Sequence, residues 1–303
     1  MPASPDRSTP LHAMSIDVED YFHVAALSGV IRPDQWDSLP SRVEQNTERL
    51  LSLFEKHEVK ATFFVLGWVA DRFPALIRKL SDHGHEIASH GYSHQLIYNQ
   101  TQDVFREETI RSKALLEDIT GKAIVGYRAA SYSITRDSLW ALDILSEVGF
   151  TWDSSIFPIR HDNYGIPNSP SAPYSIETAS GAIIREFPLT TAKIMGLSIP
   201  AAGGGYFRQF PYPVFRHLFR NASGFGARPQ MFYLHPWEID PEQPRCNNAS
   251  WFSRFRHYTN LDQCYGRLER LLGDFRFGTV SESYNAYEPD KTLLRSDQLI
   301  RLA

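Results

Sequence analysis

The sequence is poor in the features that would place it quickly. Two cysteines in 303 residues, Cys246 and Cys264, are too few for a disulfide framework, and without a CxxC they make no thiolate metal site. Two unpaired thiols are expected. No apolar run reaches the roughly 18 residues of a membrane-spanning helix, so no integral membrane segment is expected. The opening MPASPDRSTPLHA lacks the hydrophobic core of a signal peptide, which points to cytoplasmic residence. An excess of one charge is also missing: 31 Lys and Arg stand against 35 Asp and Glu, a formal net charge of -4. That balance gives no electrostatic reason to bind nucleic acid. The glycines Gly203 to Gly205 are followed by no GK[ST], so they form no phosphate loop. They read instead as a turn, or as a close approach of backbone to substrate. Repeats and low-complexity tracts are absent.

What remains is a rhythm of short apolar runs and longer periodic segments. AMSIDV (Ala13 to Val18), VKATFFVL (Val59 to Leu66), EIAS (Glu86 to Ser89), IVGY (Ile124 to Tyr127) and FTW (Phe150 to Trp152) read as strands. Helical faces lie between them, one opened by Pro74, one over about 103–120 stopped by Gly121, and one over about 136–148 before Gly149. IIREF (Ile183 to Phe187), MFYL (Met231 to Leu234), a helix over about 260–272 and FGTV (Phe277 to Val280) complete the pattern. Strands alternating with helices predict an α/β fold with a parallel sheet, either a barrel or a doubly wound sheet. Residues 1–13 read as a disordered lead-in, 14–285 as one domain, and 286–303 as a C-terminal tail. Within the domain, 154–205 is rich in proline and reads as irregular; loops of that length are usually functional or disordered.

The polar residues fall where parallel α/β folds keep their chemistry, at the C-terminal ends of strands. The first strand ends in Asp17, Val18, Glu19 and Asp20, and the third in His90, with His94 one turn on. Later strands end in Arg128, Asp153 and His235. Scattered surface charges would not align in this way. One carboxylate with two neutral imidazoles leaves open positions on a divalent ion. A second carboxylate can take a proton from water, and a histidine opposite can protonate a leaving group. The parts suit metal-assisted hydrolysis of an amide or ester.

Four runs, SIDVEDYF (Ser15 to Phe22), SHGYSH (Ser89 to His94), GYRAASY (Gly126 to Tyr132) and YLHPWE (Tyr233 to Glu238), resemble in order those of the polysaccharide deacetylase superfamily, the family 4 carbohydrate esterases. FVLGWVA (Phe64 to Ala70), DSSIFP (Asp153 to Pro158) and GGGYFR (Gly203 to Arg208) are similar to the subgroup found with exopolysaccharide and exosortase loci. The resemblance implies a distorted (β/α)7 barrel and a metal-dependent N-deacetylase of acetylated amino sugars. Its substrate would be a polysaccharide or a lipid-linked precursor, with exopolysaccharide biosynthesis machinery as a partner. It implies Asp20, His90 and His94 as ligands of a divalent metal, zinc by ligand type with cobalt, nickel or manganese as substitutes. Asp17 would be the base, Arg128 its orienting partner, and His235, tuned by Asp153, the acid. Leu234 would line the acetyl pocket, Tyr132 and Trp237 would contact the sugar, and a backbone N–H near Ser131 or Tyr132 would serve the oxyanion.

The run DVED departs from the usual pair of adjacent aspartates. Strand alternation puts Asp17 and Glu19 on one side and Asp20 on the other, so the base is Asp17 or Glu19 and the ligand Asp20 or Glu19. Ala130 replaces a proline usual after the arginine, a change in loop rigidity more than in chemistry. Two other readings stay open: a cyclic-amide hydrolase resembling allantoinases, and a catalytically silent carbohydrate-binding protein.

Overall fold

The computed structural model describes residues 10–161, 164–222, 228–287 and 292–302. The strands are β1 (His12–Val18), β2 (Thr62–Val65), β3 (Glu86–Ser89), β4 (Gly126–Tyr127), β5 (Trp152–Asp153), β6 (Tyr174–Glu177), β7 (Ile183–Glu186), β8 (Thr191–Ile194), β9 (Leu197–Pro200), β10 (Met231–Leu234), β11 (Phe277–Gly278) and β12 (Leu293–Arg295). One sheet runs β10-β1-β2-β3-β4-β5-β7-β6-β12, with β11 also beside β1. Its pairs are parallel except for β6 with β7. The α/β fold with a mostly parallel sheet is therefore the one the periodicity predicts.

Helices fill the connections: α1 (Val43–Lys56), α2 (Gly67–Arg72), α3 (Pro74–Asp82), α4 (Gln102–Thr120), α5 (Trp140–Val148), α6 (Gly204–Gln209), α7 (Tyr212–Asn221), α8 (Trp251–Tyr258), α9 (Leu261–Asp274), α10 (Val280–Asn285) and α11 (Ser296–Ile300). Local chemistry sets their ends. Pro74 opens α3, where its missing N–H has no helical partner to lose. Thr101 accepts from the Val104 N–H at the start of α4, and Gly121, at φ +65°, takes the left-handed turn that ends it.

Strand alternation divides the sheet into two faces. Met14, Ile16 and Val18 enter the large apolar layer that also holds Leu50, Leu76 and Leu116. Ala13 enters a smaller cluster with Phe64, Trp152, Phe187, Met231 and Tyr233. Ser15 and Asp17, in phase with Ala13, share that second face, and the site is built there.

The region expected to be irregular is partly ordered. β6 and β7 form an antiparallel pair, and β8 and β9 a hairpin. β7 is the strand read from IIREF, whereas the phases of β6, β8 and β9 are hard to read in sequence because each is four residues long and partly exposed. β1 starts at His12, and β12 pairs with β6; residues 1–9 lie outside the described ones. Between β7 and β10 no ladder is formed among the described residues. The Thr190 hydroxyl stands there, donating to the Met231 carbonyl at 2.9 Å and accepting its N–H at 2.8 Å, with a single bridge from Gly203 to Tyr233. A Cβ on Gly203 would collide with the Tyr233 carbonyl and one on Gly204 with the Tyr233 ring, so these two glycines approach β10, while Gly205 lines the cavity beside His235. Cys246 and Cys264 are free thiols, and no helix among the described residues is long and apolar enough to cross a membrane.

Candidate active site

The acidic run at the end of β1 separates into three roles. Asp17 accepts from Arg128 Nη1 through Oδ1 at 2.6 Å, with both side chains buried. Its Oδ2 lies 3.4 Å from the Tyr132 hydroxyl and 3.8 Å from His235 Nε2. Glu19, two residues on and on the same side, places Oε2 3.0 Å from His94 Nε2 and Oε1 2.9 Å from His235 Nε2. Burial alone would raise its pKa, but the charges of His94 and His235 hold it well below the usual carboxylate range. Asp20 turns away. Its carboxylate accepts from the Ser41 hydroxyl at 2.6 Å and from the N–H groups of Arg42, Val43 and Tyr21. This group caps the entry to α1, a use typical of aspartate at a helix N-terminus.

Of the two acids left open as the ligand, Asp20 and Glu19, the structure brings Glu19 to His90 and His94, and the donor atoms of these three, which could hold a metal ion, lie within 4.8 Å of one another. Two observations fit this trio to a cation. Glu19 Oε2 is buried without a hydrogen-bond partner despite its nearness to His94, an orphaned anionic oxygen. His90 Nδ1 must donate to the Arg128 carbonyl, 2.9 Å away, because a carbonyl only accepts. Its Nε2 then keeps a lone pair, the arrangement usual for a ligating histidine. Burial lowers the His90 pKa to about 4, so the ring is neutral. His94 adopts φ +55°, in the left-handed region, where strain collects at functional positions.

Opposite the trio, His235 follows β10. Its Nδ1 lies 2.7 Å from Glu238 Oε1, and Glu238 Oε2 accepts from Arg208 Nε at 2.6 Å. Burial opposes a charge on the ring, but Glu19 and Glu238 outweigh it and push its pKa up to about 10. Glu238, for which burial acts upward, is held down at about 2 by Arg208 and His235. The expected tuning of His235 by Asp153 is thus replaced by Glu238. Asp153 sits elsewhere, accepting from the Ser155 hydroxyl at 2.6 Å and Ser155 N–H at 3.1 Å. Ser155 Oγ accepts the Ala129 N–H at 2.8 Å, while the Ser154 carbonyl and hydroxyl receive Arg128 Nε and Nη2. Asp153 thus reaches Arg128 only through the Ser154–Ser155 loop. Burial and the neighbouring Asp153 charge raise the Glu186 carboxyl well above its ordinary value, so the pair shares a proton held on Glu186.

Among the residues expected to contact substrate, Tyr132 lies 3.4 Å from Asp17 and Trp237 lines the cavity, whereas Leu234 points away. Leu234 is fully buried in register with Ile16, in the layer facing the helices. Alternation instead presents Tyr233 and His235 to a cavity of about 410 Å³, which Trp237 reaches from the helical turn Pro236–Ile239 that follows. Trp237 stacks near-parallel on His235, with ring centroids 5.3 Å apart. Ser131 and Tyr132 both have positive φ, 50° and 57°, strain that costs on the order of 1–3 kcal/mol at each position. Of the two backbone N–H groups expected near the oxyanion, that of Tyr132 donates to the Ala129 carbonyl at 3.0 Å, which leaves that of Ser131.

Glu238, Arg208, Ser154 and Ser155 are site residues that the strand-end pattern does not single out. The Glu238 signal is present as His-Pro-Trp-Glu, a three-residue spacing that folds the acid back over the histidine as a capping box. Arg208 closes the run GGGYFR, but nothing in that run points to Glu238 as its partner, because the arginine arrives from α6, distant in sequence.

Residues 35–151 match the profile of the polysaccharide deacetylase family, and residues 154–285 match a domain of unknown function (DUF3473). A peptidoglycan-N-acetylglucosamine deacetylase of Bacillus cereus is 33% identical over 98 residues, 32% of this chain and 36% of the relative. A peptidoglycan deacetylase of Helicobacter pylori is 33% identical over 113 residues, 37% of this chain and 38% of the relative. The chain therefore spans well under half the length of these curated relatives. A crystal structure of a candidate polysaccharide deacetylase from Mycobacterium smegmatis superposes with a TM-score of 0.59 at 21% identity, covering 99% of this chain and 93% of the other. The fold is shared along nearly the whole chain.

Proposed function

We propose that this chain, which carries a polysaccharide deacetylase domain over residues 35–151, is a metal-dependent N-deacetylase of acetylated amino sugars. The observation that carries the reading is the meeting of three groups at one end of the sheet. Glu19, His90 and His94 adjoin the His235–Glu238 pair through Glu19, and that pair in turn lies against the Asp17–Arg128 pair, with His235 Nε2 3.8 Å from Asp17 Oδ2. The names of the two bacterial relatives support the reaction class. The subgroup resemblance of FVLGWVA, DSSIFP and GGGYFR supports an exopolysaccharide or its lipid-linked precursor as the polymer.

Glu19, His90 and His94 would hold a divalent ion, zinc by ligand type. Bound there, the ion would lower the pKa of a water molecule and polarise the acetyl carbonyl. The protein's own groups handle the protons. Asp17 Oδ2, the oxygen not engaged by Arg128, is the acceptor for the proton of the attacking water. Arg128, held at four points by Ser15, Asp17 and Ser154, fixes that oxygen in place. His235 then donates from Nε2 to the amine nitrogen as the carbon–nitrogen bond breaks, while Glu238 keeps Nδ1 protonated. Acetate and a free amino sugar are the products.

The test is metal content and acetate release from N-acetylglucosamine oligomers, in the wild type and in the His90→Ala, His94→Ala double variant. About one divalent ion per chain and acetate release, both lost together in the variant, are expected. A wild type that takes up no zinc, or a variant that keeps it, would overturn the reading.

A further inference from the structure

We propose that the cleft beside His235 continues onto α8 as a binding ridge for further sugars of the same glycan chain, formed by Trp251, Phe252 and Phe255. The proposal rests on the deacetylase reading and extends it, from the reacting unit to its neighbours in the polymer.

The helix sequence is WFSRFRHY. Spacings of one and four residues bring Trp251, Phe252, Phe255 and Arg256 to one side. His257 lies on the other side, buried and stacked on Trp237 with centroids 4.4 Å apart. The ridge is left in water: Trp251 is 76% exposed, Phe252 60% and Phe255 47%. Three large rings in water on one short helix form the kind of apolar patch that marks a binding surface. They are also arranged. Trp251 and Phe255 stack 5.6 Å apart at 16°, and the Arg256 guanidinium lies 5.5 Å over Phe252.

Continuity identifies the occupant. The cavity lined by His235 and Trp237 is lined at its other side by Phe252, Phe255 and Arg256. A chain with one unit at His235 therefore meets α8 without crossing a wall. Pyranose rings present apolar C–H faces with hydroxyls at their edges, and flat aromatic rings complement such faces. The ridge is also locked to the acid. Arg208, which binds Glu238, donates from Nη2 to the Arg256 carbonyl at 3.0 Å, and from Nη1 to the carbonyls of His257 at 3.0 Å and Thr259 at 2.6 Å. One guanidinium thus fixes the distance between the proton donor and the ridge. A basic, aromatic helix can also lie on a lipid surface, but that use would not require the shared cavity or the Arg208 link.

The experiment compares the full chain with the Trp251→Ala, Phe255→Ala double variant and with Phe252→Ala. Acetate release is measured on N-acetylglucosamine dimer and pentamer, and pentamer affinity by calorimetry. Loss of one or two stacked sugars raises KM for the pentamer about five- to thirtyfold, with kcat little changed and at least about fivefold more loss on the pentamer than on the dimer. Equal losses on dimer and pentamer overturn the ridge. So do unchanged oligomer kinetics with lost binding to anionic phospholipid vesicles, which would assign the helix to a membrane surface. If the wild type releases no acetate from either oligomer, the deacetylase reading fails. The calorimetric comparison still decides the ridge, because weaker pentamer binding by the double variant supports it and equal binding overturns it.

Discussion

Replacing Glu19 and replacing Asp20 are expected to damage the protein in different ways. Glu19→Gln removes the anionic donor of the metal trio, so bound zinc should fall from about one per chain toward none while the fold survives. Asp20→Asn leaves the trio intact but weakens the acceptor that serves Ser41, Arg42 and Val43. The expected cost is about 1–3 kcal/mol of stability with metal retained. Elemental analysis beside urea unfolding separates the two. Metal kept by the Glu19→Gln variant and lost by the Asp20→Asn variant would restore Asp20 as the ligand. The adjacent residues differ because the chain bends after β1, with the Glu19 N–H donating back to the Asp17 carbonyl at 3.0 Å. Glu19 stays on the side of Asp17, and its extra methylene supplies the reach. Alternation makes both options visible in DVED, but which acid a distant serine and two N–H groups will claim is not written locally.

At the scale of elements, the loop after β5 sets the arginine that follows β4. Asp153→Asn should loosen Ser155, and with it the Ser154 groups that hold Arg128. The expected result is a kcat lowered on the order of tenfold with KM nearly unchanged. Glu186→Gln, which keeps a neutral donor toward Asp153, should stay close to wild type. Full wild-type kcat in both Asp153→Asn and Asp153→Ala would refute this positioning role. Elements that are apolar throughout or punctuated at their ends are legible in the sequence: the fully buried Met231–Leu234 is bounded to the residue, and Pro74 and Gly121 mark the start of α3 and the end of α4. Four-residue strands such as Thr191–Ile194, half exposed, carry too few alternations to stand out from loop. The site is legible as strand-end residues. The groups behind it, Glu238 excepted, are not, because Arg208 and Glu186 meet their partners through tertiary contacts alone.

For the whole molecule, falling pH should destabilise the protein above the ordinary range of carboxylate titration. His12 opens β1 inside a cluster of Phe219, Phe275 and Phe277. Burial first, and Arg276 second, lower its pKa to about 4 from 6.5. A base depressed in this way binds fewer protons folded than unfolded. Its contribution is therefore full above pH 6.5 and is lost as pH falls toward 4. Between about pH 7 and pH 5 the loss is about 2 kcal/mol from this residue. Urea midpoints at the two pH values measure it, and His12→Gln, which cannot titrate, should flatten the difference by that amount. An unchanged slope would show that His12 is not the buried base.

The Thr190 hydroxyl, standing in the gap between β7 and β10, has a consequence for how this protein can be altered. The hairpin of β8 and β9 beside it gives no rungs to the main sheet, and its tip at Met195 and Gly196 faces solvent. It is a splice port. Sequence can be lengthened, shortened or exchanged there for a foreign domain without breaking a strand pairing that holds the site.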